Sequence, residues 1–182
     1  MKSIILLSGP QGSGKTTLAK ALTREHGKIL KFADPLYEMH DAVRIILNKY
    51  GEDFLEGIDG TLLQVLGTDW ARKTRDENLW VKIMQKRLET EDGLIVIDDC
   101  RFPNELRSVP GALKIRLQCP EHIRRVRAEK WRYNVIHISE CALDNCFQEF
   151  DMIFNTDEMG VEACREYILN ELGKQNQVGR RT

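Results

Sequence analysis

The sequence predicts an α/β fold, doubly wound about a mostly parallel sheet, and two observations predict it. Short apolar runs alternate with amphipathic stretches along most of the chain, and a glycine-rich loop joins the first run to the first helical pattern. Parallel neighbours require a crossover of a dozen residues or more, which the amphipathic stretches supply.

The first strand is the run Ile4, Ile5, Leu6, Leu7, followed by a helix with Leu18, Ala19 and Leu22 on one face. A second apolar run spans Ile29 to Ala33. The stretch from about 34 to 91 is too long for a simple crossover and reads as a helical insertion. It opens on Asp34-Pro35, an N-cap followed by proline at the first helical position, and ends on a helix with Ile83, Met84 and Leu88 on one face. Further strands are expected at Leu94 to Asp98, Leu113 to Leu117 and Met152 to Phe154. Val161, Cys164, Ile168 and Leu172 form the face of a last helix. A basic stretch from about 124 to 146 is a second interruption, and both interruptions are candidate substrate covers. The polar tail from Gly173, ending Arg180, Arg181, Thr182, is expected to fray.

A chain of 182 residues has the size of one domain, and its 42% hydrophobic content can build a core without disulfides. The formal net charge of −1 provides no general field for a nucleic-acid polymer, so anion binding must be local. No stretch reaches the ~20 apolar residues of a membrane span. The N-terminal run is too short for a signal and has no small-residue cleavage site. Cys100, Cys119, Cys141, Cys146 and Cys164 are odd in number and scattered, the pattern of reduced thiols, so a cytoplasmic protein is expected.

The loop Gly9-Pro10-Gln11-Gly12-Ser13-Gly14-Lys15-Thr16 carries the chemistry. Its glycines let successive backbone amides turn toward phosphate oxygens, and the helix that follows adds its positive end. Lys15 is expected to reach the β- and γ-phosphates of a nucleotide, and Thr16 to hold Mg²⁺ through its hydroxyl. The GTPase base-recognition pattern is missing, because Asn48-Lys49 is followed by Tyr50 and Gly51.

The run from Leu94 ends in Asp98-Asp99-Cys100-Arg101. Carboxyl ends of parallel strands face the ligand crevice, so one of the two aspartates should lie beside the phosphate loop and orient the metal. Arg101, Arg124, Arg125, Arg127 and Arg132 supply guanidinium forks suited to a transferring phosphoryl group, the alternative being a solvated helix face. Arg124 and Arg127 share a face at i, i+3.

Several blocks together resemble the phage deoxynucleoside monophosphate kinases of the adenylate kinase superfamily. They are Phe32-Ala33-Asp34-Pro35-Leu36; Leu63 to Arg72 with its Gly67-Thr68-Asp69-Trp70-Ala71-Arg72; Trp80-Val81; Asp99-Cys100-Arg101-Phe102-Pro103-Asn104-Glu105; His137-Ile138-Ser139-Glu140; and Phe150-Asp151 with Asn155. The approach Asp59-Gly60-Thr61-Leu62 departs from the family's usual Pro-Arg.

The resemblance implies a P-loop three-layer sandwich with a five-stranded parallel sheet of order 2-3-1-4-5, a helical monophosphate-binding insertion and a lid. It implies transfer from ATP, with Mg²⁺, to a deoxynucleoside 5′-monophosphate in a monomer or homodimer, in the host cytoplasm if phage-encoded. The implied catalytic residues are Lys15, Asp99, Arg101, Arg124, Arg127 and Arg132. ATP falls to Gly9, Gln11, Gly12, Ser13, Gly14, Lys15, Thr16, Thr17, Arg124 and Asn155. The acceptor falls to Asp34, Gln64, Trp70, Arg72, Asp99, Arg101 and Glu105, and the metal to Thr16 and Asp99. Trp70 has a second reading as a core residue, four positions from Leu66. A related acceptor such as phosphomevalonate or dephospho-coenzyme A, or a regulator without transfer activity, would use the same loop. Cys119, His122, His137, Cys141 and Cys146 have loose zinc-ligand spacing, with small buried cysteines as the plainer reading.

Overall fold

The computed structural model describes residues 2–53, 57–127 and 141–178, with side chains as far as 174. Arg132 and His137, and most of the expected cover from 124 to 146, lie outside the described residues.

Strands β1 (Ser3–Ser8), β2 (Lys28–Leu30), β3 (Leu94–Ile97), β4 (Leu113–Gln118) and β5 (Met152–Asn155) form one parallel sheet in the order β2-β3-β1-β4-β5, as expected. Helix α1 (Lys15–Thr23) crosses from β1 to β2. Between β2 and β3 lie α2 (Asp34–Lys49), α3 (Gly60–Gln64), a π-helix (Val65–Arg75) and α4 (Leu79–Glu89). Helix α5 (Pro103–Arg107) leads to β4, α6 (Glu121–Arg127) follows it, and α7 (Val161–Val178) comes after β5.

Alternation along β1 divides the core. Ile5 and Leu7 point to the face covered by α1 and α7, where they meet Leu18, Leu22, Ile115, Cys164 and Ile168. Leu6 points the other way, into a cluster with Ala71, Trp80, Met84, Ile97 and Leu106. Both faces are covered because each crossover helix places its apolar stripe on the sheet.

Two boundaries differ from the sequence pattern. Strand β2 ends at Leu30, although the apolar run continues to Ala33, because the next amides leave the ladder. Lys31 N donates to the Asp34 carboxylate, and Phe32 N and Ala33 N donate to that of Asp99. At the other end, α7 passes through Gly173 to Val178 instead of fraying at the glycine.

The π-helix is the irregular part of the insertion. Asp76 N closes it with an i−5 bond to Ala71 O at 2.9 Å. Trp80 Nε1 donates to Gly67 O at 2.9 Å, and a Cβ on Gly67 would lie 2.8 Å from Leu36 Cδ1, so this turn is locked between α2 and α4. Among the described residues no helix is long and apolar enough to cross a membrane.

Candidate active site

The glycine-rich loop turns from the end of β1 into α1. Gly12 has φ of 77°, and a Cβ there would stand 2.6 Å from the backbone oxygen of Arg124, so both conformation and space call for glycine. A Cβ on Gly9 would come equally close, 2.6 Å, to Leu117 O. The turn is closed by Ser13 N on Pro10 O at 3.2 Å and by Leu18 N on Gly14 O at 2.9 Å. Lys15 Nζ folds back across the loop, donating to Gly9 O at 2.6 Å and Pro10 O at 2.9 Å. A polyphosphate is a stronger acceptor for an ammonium than two carbonyls, so those bonds can be exchanged for phosphate. Ser13 Oγ is buried without a hydrogen-bond partner.

The aspartate that meets the loop is Asp98, not Asp99 as expected. Thr16 Oγ1 donates to Asp98 Oδ2 at 3.1 Å, and Asp98 is only 2% exposed. Asp99 is turned to the other side. Its Oδ1 accepts Phe32 N and its Oδ2 accepts Ala33 N, both at 2.9 Å, which makes it a staple for the turn after β2 rather than a metal ligand. Burial pushes the Asp99 carboxyl up to about 6, against those two amides, with the neighbouring Asp98 charge adding to the rise. The adjacent Arg101 charge lowers it slightly.

Thr16 and Asp98 fit a hydrated divalent cation. Mg²⁺ in such sites keeps several waters and uses a hydroxyl, one or two carboxylates and the substrate phosphates. Asp98 Oδ1 is buried and accepts no hydrogen bond, although Lys31 Nζ stands 2.9 Å away as an ion-pair partner.

The expected acceptor residues are largely engaged with one another. Arg72 and Glu105 form a buried ion pair, and the guanidinium lies 4.1 Å from the centroid of Phe102. Glu105 Oε2 also accepts Arg101 N at 2.7 Å and Phe102 N at 3.0 Å. Burial raises the Glu105 carboxyl, while Arg72 and those amides pull it down. The pair therefore ties the π-helix to the loop after β3 instead of projecting two free charges at an acceptor. Asp34 also has a structural duty: it takes Arg87 at 2.8 Å and Lys31 N at 3.0 Å. Gln64 is half-buried. Trp70 is 39% exposed, so it is not the core residue; Trp80, at 4%, is.

On the other side of the loop, Arg124 donates to Gln11 O and Cys119 O, each at 3.0 Å. Arg127, expected at the transferring phosphate, reaches instead to Thr156, through its Oγ1 at 3.1 Å and its backbone oxygen at 2.9 Å. Beside it lies a cavity of about 230 Å³ lined by Gly14, Thr17, Leu117, Thr156, Met159 and Val161, among others. Thr17 lines this cavity, while Asn155 is exposed at the end of β5 and its neighbour Thr156 takes the lining position. Among the described residues no three His, Cys, Asp or Glu side chains gather as a metal-ligand set.

Lys31, Arg87, Thr156 and Met159 were missed by sequence reasoning. The first follows from a register visible only in the structure: the pairing Leu30↔Ile97 makes Lys31 and Asp98 the next opposed positions beyond the ladder.

Strand order and loop together define the class: this is a P-loop protein with the kinase type of fold. The chain belongs to the AAA domain family, whose model matches residues 5–150. Among solved structures it is similar to the tunicamycin resistance protein of Deinococcus radiodurans, with 16% identity, a TM-score of 0.58 and coverage of 95% of this chain and 96% of that one. A shikimate kinase from Acinetobacter baumannii in complex with shikimate is 13% identical at TM-score 0.56, covering 96% and 95%. A shikimate kinase from Bacteroides thetaiotaomicron is 18% identical at TM-score 0.56, covering 94% and 98%. At these identities the likeness is one of fold. No curated protein matches the sequence.

Proposed function

We propose that the protein is a kinase that transfers the terminal phosphoryl group of ATP to an acceptor already carrying a phosphate, a deoxynucleoside 5′-monophosphate. The observation that carries the transfer reading is the contact between the Thr16 hydroxyl and the buried Asp98 carboxylate beside the loop that holds Lys15.

The loop amides and Lys15 bind and orient the donor triphosphate, while the cavity beside Thr17 and Met159 accepts its base. Bound Mg²⁺, held by Thr16 and oriented by Asp98, would neutralise charge on the β- and γ-oxygens. An oxygen of the acceptor phosphate attacks the γ-phosphorus, the bond to the β–γ bridging oxygen breaks, and ADP leaves. Arg101, in the segment after β3, and Arg124, whose guanidinium lies on the loop at Gln11 O, would stabilise its equatorial charge.

A phosphate acceptor suits the carboxylates of the crevice. An alcohol needs a base to take its proton, but Asp98 is paired with Lys31, Glu105 with Arg72, Asp34 with Arg87, and Asp99 holds two amides. A phosphate is already an anionic nucleophile and needs none. The deoxynucleotide itself rests on the resemblance of the Gly67 to Arg72 and Asp99 to Glu105 blocks, with exposed Trp70 as a stacking surface for a base.

The test is ADP release over a panel of acceptors: the four deoxynucleoside monophosphates, their ribo-counterparts, dephospho-coenzyme A, phosphomevalonate and the alcohol shikimate. Turnover with deoxynucleotides alone is the expected result. Preference for an alcohol would overturn the acceptor assignment, and ATP binding with no acceptor-dependent release would overturn transfer itself.

A further inference from the structure

The ammonium of Lys31 sits on the one carboxylate that the loop's hydroxyl also uses. Its Nζ is 2.9 Å from Asp98 Oδ1 and 3.2 Å from Oδ2, and Thr16 Oγ1 occupies Oδ2 from the other side. The two partners differ in freedom. The Asp98 side chain is 1% exposed, whereas that of Lys31 is 32% exposed. Only the backbone of Lys31 is fixed: its amide donates to Asp34 at 3.0 Å, and its carbonyl accepts Arg87 at 3.2 Å. The charge is thus carried on a flexible stem rooted at the mouth of the crevice.

A buried carboxylate requires a counter-charge. In the metal-free protein Lys31 provides it. Burial alone would lower the ammonium's pKa, but Asp98, with Asp99 and Tyr37 further off, raises it overall, so the group is a cation at neutral pH. A divalent cation arriving at Thr16 and Asp98 competes for the same oxygens and repels the ammonium. Asp99 offers no new berth, since both its oxygens hold backbone amides.

We propose that Lys31 is an exchangeable counter-ion of Asp98: on entry of the divalent cation its ammonium passes to an anionic group of the acceptor, so that metal and acceptor binding are coupled. This rests on the kinase reading above. Because binding free energies are reciprocal, an anion in the acceptor site must then tighten metal binding by the same factor that metal tightens anion binding.

The experiment counts free Mn²⁺ by electron paramagnetic resonance in the ADP complex, with and without inorganic phosphate as the anion probe, for wild type, Lys31→Met, Lys31→Gln and Lys31→Arg. The glutamine amide can still donate to Asp98 without the charge, which keeps the test informative should methionine impair folding. Removal of the charge is expected to tighten Mn²⁺ binding about fivefold or more, with arginine close to wild type. Phosphate is expected to tighten Mn²⁺ binding in the wild type and to have no effect in Lys31→Gln. Equal Mn²⁺ affinity in wild type and Lys31→Gln overturns the counter-ion role, and phosphate coupling that survives in Lys31→Gln overturns the transfer to the acceptor. A wild type that binds no ADP overturns the kinase reading, and this inference with it.

Discussion

The hydroxyl of Thr16 donates to the carboxylate of Asp98 across 3.1 Å, joining the first turn of α1 to the end of β3 over 82 positions of sequence. The bond places the loop's hydroxyl and a buried acid on the same small volume, between the two strands that flank the crevice. Asp98→Asn keeps the shape but removes the charge. The affinity for MgATP should fall about 10- to 100-fold, while that for ATP in EDTA changes little. Calorimetric titration under both conditions separates the two, and an equal loss in each would mean that Asp98 supports the loop without serving the metal.

Lys15 donates to two carbonyls of its own loop, Gly9 O and Pro10 O, at the rim of the site rather than in either core cluster. Lys15→Met should therefore leave thermal unfolding within a few degrees of wild type and lower phosphoryl transfer by roughly 100-fold or more. Turnover near the wild-type rate would remove the loop from the chemistry.

The loop and the strands were legible because both are local patterns, glycines at fixed spacing and apolar runs separated by helical stripes, while the order of the strands came only with the family resemblance. Which of Asp98 and Asp99 meets the metal site was not. Successive residues at a strand end point to opposite sides, and the choice depends on β2 leaving the sheet after Leu30 so that Phe32 N and Ala33 N can claim Asp99. The pairing of Arg72 with Glu105 was hidden for a related reason. A cation and an acid in blocks that resemble an acceptor site read as two ligands, but the π-helix brings them into contact, and no periodicity predicts a pairing between residues 33 positions apart.

That pairing sets a stability prediction. The side chains of Arg72 and Glu105 are 11% and 3% exposed, so Arg72→Ala leaves a buried acid without its partner and should cost about 3–5 kcal/mol. Replacing both by apolar residues of similar size, Arg72→Met with Glu105→Leu, should recover much of that loss in urea denaturation. A single mutant as stable as wild type would show that the pair is not what joins the π-helix to the loop after β3.

Gly12 tests the contact between the phosphate loop and α6. With its φ at 77° and Arg124 O at 2.6 Å from an added Cβ, Gly12→Ala must displace either the loop or the start of the basic helix. Since Arg124 also holds Gln11 O, both ends of the contact move together. Affinity for ATP should fall at least about tenfold, with a loss of stability on the order of 1–3 kcal/mol. Unchanged nucleotide binding would mean that the two segments separate freely when nucleotide enters.

Asp99 gives the protein a pH dependence whose sign can be worked out. Its carboxyl lies at about 6 in the folded chain, against 3.8 for the unperturbed group. The folded state therefore holds the proton more tightly than the unfolded state. Its contribution to stability is complete below the unfolded value, and it is lost as pH rises from about 4 through 6. Asp99→Asn removes the titration. It also leaves an amide where two backbone donors, Phe32 N and Ala33 N, each need an acceptor, so at the acid end it should be less stable by about 1–3 kcal/mol, a deficit that shrinks as pH rises and the wild-type carboxyl ionises. The two effects separate in urea midpoints measured from pH 4.5 to 7.5: the substitution lowers the acid end of the curve and flattens its decline across this window. A decline as steep in Asp99→Asn as in wild type would assign the dependence to another group.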